Sequence, residues 1–413
     1  METVKKYARV FLRKTPGLRK YVRKVYDVIK ESNYRKIAKG VETNPKMILF
    51  ETFMGRQYGC NPKAIYEYII SDPRFDDYKL VWAFIDESKA DEIPQLERAE
   101  TVKMLSTEYF RACAEAGFIV SNSNLNNRIQ KKPDQVFIQT WHGTPLKKLR
   151  CDIVVEGGNA NNTLEDIRYK NDIDVSRYDY FLSPSPFCTE KFTSAFNLGN
   201  LGKEEILVET GYPRNDILIN HTPEDAAAMK TALGIPTDKK VLLYAPTFRD
   251  NQHDGSGYVY DTHIDFDRLR DEIGDEYIIL FRAHYFVANQ FDFEKYAGFV
   301  YDMSGLDDIT GLYLIADALI TDYSSVSFDY ANLNRPMLFY VYDLEEYAND
   351  IRGFYFSIDE IPGPKVKTED ELIAAIKELS GWSAGEEYAR FNARFNPLED
   401  GQASKRAAEL ILK

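Results

Sequence analysis

A chain of 413 residues, 44% apolar and 14% aromatic, is long enough for two domains with buried cores. Its four cysteines (Cys60, Cys113, Cys151, Cys188) form no Cys-x-x-Cys pair or Cys/His cluster, which argues against a structural zinc site and suits a reducing compartment. No apolar run approaches the ~18 residues of a membrane span, and no signal peptide is expected behind so charged an N-terminus.

The net charge of −13 hides an asymmetry, because residues 1–40 carry thirteen Lys/Arg against three Asp/Glu while the rest of the chain carries a balance of −23. In that basic head Val4, Tyr7, Ala8 and Phe11 recur at helical spacing. After Pro16-Gly17 so do Leu18, Tyr21, Val22, Val25 and Ile29. Two basic amphipathic helices of this kind suit an anionic membrane surface. The alternative is a helix packed on the protein's own core. Nucleic acid is disfavoured, since the acidic body would repel it.

Beyond Gly40 short apolar runs alternate with helical stretches. Strands are predicted at residues 47–50, 80–84, 102–104, 118–120, 136–140 and 180–183, and again at 206–209, 241–245, 277–281, 298–301, 318–321 and 337–341. Helices are predicted at 62–70, 107–116 and 368–379. The alternation predicts parallel sheets covered on both faces, an α/β protein with two similar domains that change over near residues 190–205. Asn197–Gly202 has linker character, and residues 250–257 read as a polar loop.

Ligands of open α/β sheets bind at the carboxyl ends of strands, and three such ends concentrate polar chemistry. The first is Trp141-His142-Gly143-Thr144-Pro145-Leu146-Lys147-Lys148, where His142 is the candidate general base. A hydrogen-bonded structural histidine is the alternative. The second is Arg282-Ala283-His284, where two cationic donors two residues apart suit a phosphate. An arginine paired with a carboxylate is its alternative. The third is Thr321-Asp322-Tyr323-Ser324-Ser325, in which Ser324 or Ser325 is expected to cap a helix whose N-terminus attracts phosphate. Asp329, one turn on, is a candidate acceptor for ribose or base groups, and an ordinary N-cap is the alternative reading. Tyr244-Ala245-Pro246-Thr247-Phe248-Arg249 and Gly211-Tyr212-Pro213-Arg214-Asn215-Asp216 are weaker junctions whose Arg214, Thr247 and Arg249 can line the same site. His221, His253 and His263 lie in polar contexts and read as surface residues. No metal-ligand spacing, Walker phosphate loop or nucleophile elbow occurs, so no tightly bound cofactor is expected; a loosely held Mg²⁺ stays compatible.

These motifs, with Arg352-Gly353-Phe354-Tyr355-Phe356, together resemble the CDP-glycerol glycerophosphotransferases of teichoic acid synthesis, in order, from about Met47 to the C-terminus. The resemblance implies a GT-B fold of two Rossmann-like domains facing across a cleft. Residues 1–40 would form the membrane-surface helices, 41–200 an acceptor domain and 201–413 a CDP-donor domain, with the last helix crossing back. It implies transfer of an alditol phosphate, glycerol phosphate first, from a CDP-alditol to a hydroxyl of a lipid-linked polyprenyl-diphosphate acceptor or growing polymer, with release of CMP. Carried across, His142 and His284 would be catalytic, and Trp141, Gly143, Thr144, Pro145, Arg214, Pro246, Thr247, Arg282, Ala283, Ser324, Ser325 and Asp329 would bind the donor. The family is peripheral on the cytoplasmic membrane face, and a homo-oligomer is compatible with it. Arg150, where many relatives have glycine, and Tyr285, where a small turn former is common, depart from the pattern and are expected to alter the rim of the site. The chain also lacks the long N-terminal region of some polymerases, which leaves the number of units added open. The competing readings are a CDP-ribitol ribitolphosphotransferase, a GT-B nucleotide-sugar glycosyltransferase for capsule or wall polymer, and a catalytically inert membrane scaffold.

Overall fold

Runs of β-branched and aromatic residues with no polar alternation favour strands buried on both faces, as in parallel sheets, and the structure bears this out. The computed structural model describes residues 32–154, 163–247, 263–283, 291–344 and 353–413, together with the backbone of two short strands between 253 and 258. They divide into two compact units, one containing residues up to Arg56 with Pro73–Ile138, the other Gln57–Asp72 with Gln139–Lys413.

In the first unit β1 (Asn44–Glu51), β2 (Lys79–Phe84), β3 (Ala99–Lys103) and β4 (Ala116–Ser121) are parallel and ordered β3-β2-β1-β4. Leu49 sits opposite Val81 on one side and Ile119 on the other. Phe50, Trp82 and Phe84 stack across the sheet with centroids 5.3 and 5.9 Å apart. The direction of strand addition reverses between β1 and β4. There Phe53, in left-handed backbone with φ 47°, donates its N–H to Asn122 Oδ1 at 2.8 Å. Residues 32–38 form a helix whose Tyr34 is buried against Phe110, so this part of the basic head packs on the unit. The amphipathic pattern at residues 4–29 lies outside the described residues. β5 (Val136–Gln139) ends as the chain passes into the second unit.

In the second unit β6 (Tyr180–Ser183) and β7 (Leu207–Glu209) pair in parallel. The main sheet begins with β8 (Lys240–Tyr244). β9 (His253–Asp254) and β10 (Gly257–Tyr258) form a small antiparallel pair where a loop was expected. Then β11 (Tyr277–Phe281), β12 (Val300–Asp302), β13 (Ala318–Thr321), β14 (Met337–Tyr340) and β15 (Lys365–Val366) complete a parallel sheet ordered β12-β11-β8-β13-β14-β15. Counted within the sheet this is third-second-first-fourth-fifth-sixth, the doubly wound Rossmann order, with its reversal between β8 and β13. Leu242, Ile279, Phe281, Ile320 and Leu338 form the core with Leu269 and Ile273 of the helix Phe266–Ile273 and Leu372 and Ile376 of the helix Glu369–Lys377. The latter starts on a capping box, in which Thr368 Oγ1 accepts the Glu371 N–H and Glu371 Oε2 accepts the Thr368 N–H. Asn197–Gly202, expected as a linker, is instead a four-residue helix, Leu198–Leu201, with left-handed residues at both ends and Leu198 fully buried. The last helix, Ala403–Ala408, packs on the helix Cys60–Ser71.

Candidate active site

The reversal point of the second sheet is where a ligand of an open α/β sheet is expected. The strand ends there are locked together. Ala245 N–H donates to Ile320 O at 2.9 Å and Thr321 Oγ1 donates to Ala245 O at 2.6 Å, carrying the pairing beyond β8. The Asp322 carboxylate then accepts the Thr247 N–H at 2.9 and 3.0 Å and its own neighbour's, Tyr323, at 2.6 Å. Pro246 and Thr247 are therefore held against the turn that carries Ser324 and Ser325. Asp322 was not among the sequence candidates; its signal was an acidic residue immediately after a buried strand.

The helix that follows, Val326–Tyr330, has only five residues. Ser324 Oγ accepts the Val326 N–H at 3.4 Å, whereas Ser325 makes no side-chain cap and already has helical backbone. The expected helix dipole is thus short. What the turn offers an anion is therefore local N–H groups and two hydroxyls, with little dipole behind them.

The His142 turn is built from the end of β5. Gln139 Oε1 accepts the Trp141 N–H at 2.8 Å, and Trp141 adopts left-handed backbone with φ 51°. Its ring is buried against Phe181, Phe192 and Phe196, with centroids 6.3, 6.1 and 5.0 Å away. The exposed imidazole of His142 stacks on that ring at 4.3 Å and 28°. Thr144 and Pro145 are buried, and Thr144 Oγ1 takes a 3.7 Å contact from Cys188 Sγ. Gly143 is packed so closely on the opposite turn that a methyl group there would lie 2.7 Å from Ser325 Oγ. The β5 turn and the β13 turn are thus in contact.

Arg214 and Asp329, both read from sequence as donor-binding, are buried and face one another. Arg214 Nε and Nη2 donate to the Asp329 carboxylate at 3.2 and 3.0 Å, and Asn215 Nδ2 adds a third hydrogen bond at 3.2 Å. The fork geometry is that of a bidentate ion pair. Sequence reasoning also missed Asn61, fully buried in the helix Cys60–Ser71, whose side chain bonds to the backbone of Thr140, Trp141 and Arg214.

On the neighbouring strand end, Arg282 N–H donates to Tyr244 O at 2.9 Å, its Nη1 donates to Ser304 O, and Ala283 N–H donates to Ser304 Oγ at 3.2 Å. Burial lowers the Arg282 pKa from its ordinary value. His284, Tyr285, Arg249 and Arg352 lie outside the described residues. The rest of the Arg352-Gly-Phe-Tyr-Phe motif ties down the far side of the His142 turn. Lys148 N–H donates to Gly353 O at 3.1 Å, Tyr355 N–H donates to Leu146 O at 2.9 Å, and Lys147 bridges Phe354 antiparallel.

Arg150 has left-handed backbone, φ 39°, a conformation that favours glycine. Its side chain pairs with Asp174 at 3.3 Å and lies over the Phe196 ring at 4.7 Å and the Trp141 ring at 5.8 Å. Among the described residues no group of three or more His, Cys, Asp or Glu is placed to hold a metal ion, and no helix is long and apolar enough to cross a membrane.

A family model described as CDP-glycerol:poly(glycerophosphate) glycerophosphotransferase matches residues 33–413. The chain is similar to a teichoic acid poly(glycerol phosphate) polymerase of Bacillus subtilis, 43% identical over 379 residues that make up 89% of this chain and 49% of that protein. It therefore spans about half the length of that relative. It is also similar to a teichoic acid glycerol-phosphate transferase of Staphylococcus aureus, 40% identical over 383 residues, 90% of this chain and 94% of that one. Among solved structures, a variant of the wall teichoic acid polymerase TagF soaked with CDPG matches with a TM-score of 0.85 at 38% identity, covering 96% of this chain and 97% of that chain. The fold is accordingly α/β of the GT-B type.

Proposed function

This chain belongs to the CDP-glycerol:poly(glycerophosphate) glycerophosphotransferase family, and from that premise we propose that it transfers glycerol phosphate from CDP-glycerol to a hydroxyl of a lipid-linked acceptor or growing teichoic-acid-type polymer, releasing CMP. The observation that supports the reading is the packing of Gly143 on Ser325, which brings the backbone next to the exposed His142 against the Ser324–Ser325 turn. So read, a base and a set of phosphate donors serve one site at the Rossmann reversal point of the second unit. In this reading the CDP donor belongs to residues 201–413 and the acceptor to residues 41–200.

The acceptor oxygen attacks the β-phosphorus of the donor. A new P–O bond forms as the bond to the CMP oxygen breaks, and CMP leaves with that electron pair. His142 takes the acceptor hydroxyl's proton, a contribution of roughly 10²–10⁴-fold for a well-placed base. The charge spreading over the transferred phosphoryl oxygens is met by Arg282, the Ser324 and Ser325 hydroxyls, and His284. Positioning and neutralisation are the main requirements of phosphoryl transfer. Arg214 and Asp329 neutralise each other, so their part is to fix the turns around the donor. Trp141, Gly143, Thr144, Pro145, Pro246, Thr247 and Ala283 shape its walls. The lipid-linked acceptor places the reaction at a membrane surface, and the basic residues preceding position 32 supply a means of staying there.

The test is CMP release by purified protein with a lipid-linked acceptor, supplied with CDP-glycerol and CDP-ribitol in parallel. Release from CDP-glycerol that is lost in His142→Ala is the expected result. Release from CDP-ribitol alone would move the assignment to the ribitol enzyme. No release from either, in folded protein, would favour the nucleotide-sugar or scaffold reading.

A further inference from the structure

Asn61 uses both ends of its side-chain amide near the site, and the proposed chemistry has no use for it. Its amide nitrogen donates to Thr140 O and to Trp141 O, both at 3.1 Å, and its Oδ1 accepts the Arg214 N–H at 3.1 Å. It is wholly buried in the first turn of the helix Cys60–Ser71. The two carbonyls it gathers belong to the residues that lead into His142. One of them, Trp141, has left-handed backbone with φ 51°. That conformation is unfavourable for a residue with a Cβ and needs outside support.

The contacts close into a ring. From Asn61 the path runs to Trp141, along the chain to Gly143, across to Ser325, through the short helix to Asp329, over the ion pair to Arg214, and back to Asn61 through the Arg214 N–H. Four of its links are non-covalent, and Asn61 makes two of them. Within this ring, removing Asn61 leaves the His142 turn and the Arg214–Asp329 pair joined through Gly143 and Ser325 alone.

We propose that Asn61 is a positioning residue of the reaction: it sets the spacing between His142 and the Ser324–Ser325 turn without touching the donor. The proposal rests on the transferase reading above, and its test separates the two. Asn61→Asp is isosteric and keeps an oxygen for the Arg214 N–H, but it turns an acceptor toward the two carbonyls. Misplacing a catalytic group by ~1 Å is enough to lose about 10²-fold in rate. We expect kcat with CDP-glycerol to fall about that much in Asn61→Asp while the donor KM changes less than about twofold. In a His142→Ala background the same substitution should have almost no further effect, because the group it positions is gone. An equal loss in both backgrounds would mean that Asn61 merely supports the fold, and the proposal would fall. Asn61→Ser, which removes one donor and part of the side chain, provides the same comparison if the aspartate variant does not fold. A second readout needs no turnover. The His142 ring protons feel the ring current of Trp141 at 4.3 Å, and Asn61→Asp should move their NMR shifts toward those of an unstacked imidazole. Unmoved shifts would overturn the proposal. A wild-type protein that releases no CMP would instead sink the transferase reading, while the shifts still decide whether Asn61 positions His142.

Discussion

Glu399 shows how one buried carboxyl can make this site sensitive to pH. One oxygen accepts the Tyr212 N–H at 2.9 Å, in the turn that leads to Arg214, while among the described residues the other has no partner. Burial pushes its pKa up to about 8; the Tyr212 N–H and Asn215 pull it down, and Asp329 and Asp216 push it further up. Glu51, at the reversal point of the first unit's sheet, is raised to about 7, again by burial, against a hydrogen bond from Tyr109 at 2.8 Å. A carboxyl whose pKa is higher folded than unfolded stabilises the protein fully below the unfolded value of 4.5, and that contribution is lost as pH rises through the folded value. The melting temperature of the wild type should therefore decline from pH 5 to 8. Glu399→Gln, neutral throughout and nearly isosteric, should flatten that decline, preserving on the order of a few kcal/mol at the upper end. Calorimetry across the pH range checks it, and parallel curves for the two proteins would refute the assignment.

At the scale of elements, the contact between the β5 and β13 turns depends on one missing side chain. Gly143 has no left-handed backbone, so its role is space. An added methyl group would lie 2.7 Å from Ser325 Oγ, closer than real contacts allow, and 3.1 Å from its Cβ, which is tight. Gly143→Ala should push the turns apart and reduce CMP release by about 10²-fold with little loss of thermal stability. Measured against Ser325→Ala alone, which already lacks a phosphate donor, adding Gly143→Ala should cost less than it does in the wild type, because the hydroxyl it would meet is gone; an equal cost in both backgrounds would show that the glycine serves something else. The elements on either side of this contact were legible in the sequence. All twelve predicted strands exist, because apolar runs such as Tyr277–Phe281 and Ala318–Thr321 have no exposed face to alternate with. The strand predicted at 102–104 begins earlier, at Ala99, because an edge strand carries polar residues such as Glu100 and Lys103 that break the apolar signal. What stayed hidden are pairings between distant segments. Asn61 meets Arg214 across 153 positions, and Arg214 meets Asp329 across 115. Arginine and aspartate each read locally as ligand groups, and only the fold shows that they satisfy one another. The left-handed turns at Trp141 and Arg150 were equally silent, since neither residue type advertises positive φ.

For the whole molecule the deciding property is where charge lies along the chain. The helix at residues 32–38 has Tyr34 only 2% exposed, with its ring 6.0 Å from that of Phe110, so it belongs to the first unit. A cut that tests the basic head without damaging the fold therefore falls before Ser32, which is also where the family match begins to within one residue. Residues 1–31 carry ten Lys/Arg and three Asp/Glu, and the residues left behind would keep a net charge of −20. A body so acidic is repelled by anionic lipid, so any attraction has to come from the head, worth about 1 kcal/mol per basic residue near the surface and screened within a Debye length of ~8 Å at physiological salt. The intact chain should sediment with phosphatidylglycerol vesicles, less so with phosphatidylcholine vesicles, and binding should weaken as salt rises. The chain lacking residues 1–31 should stay in the supernatant with both, yet release CMP normally with a water-soluble acceptor. If the shortened chain sediments as well as the intact one, the head is not the anchor and the attachment has to be sought on the folded units. If it stays in solution but loses turnover with the soluble acceptor too, the head takes part in the reaction as well as in its location.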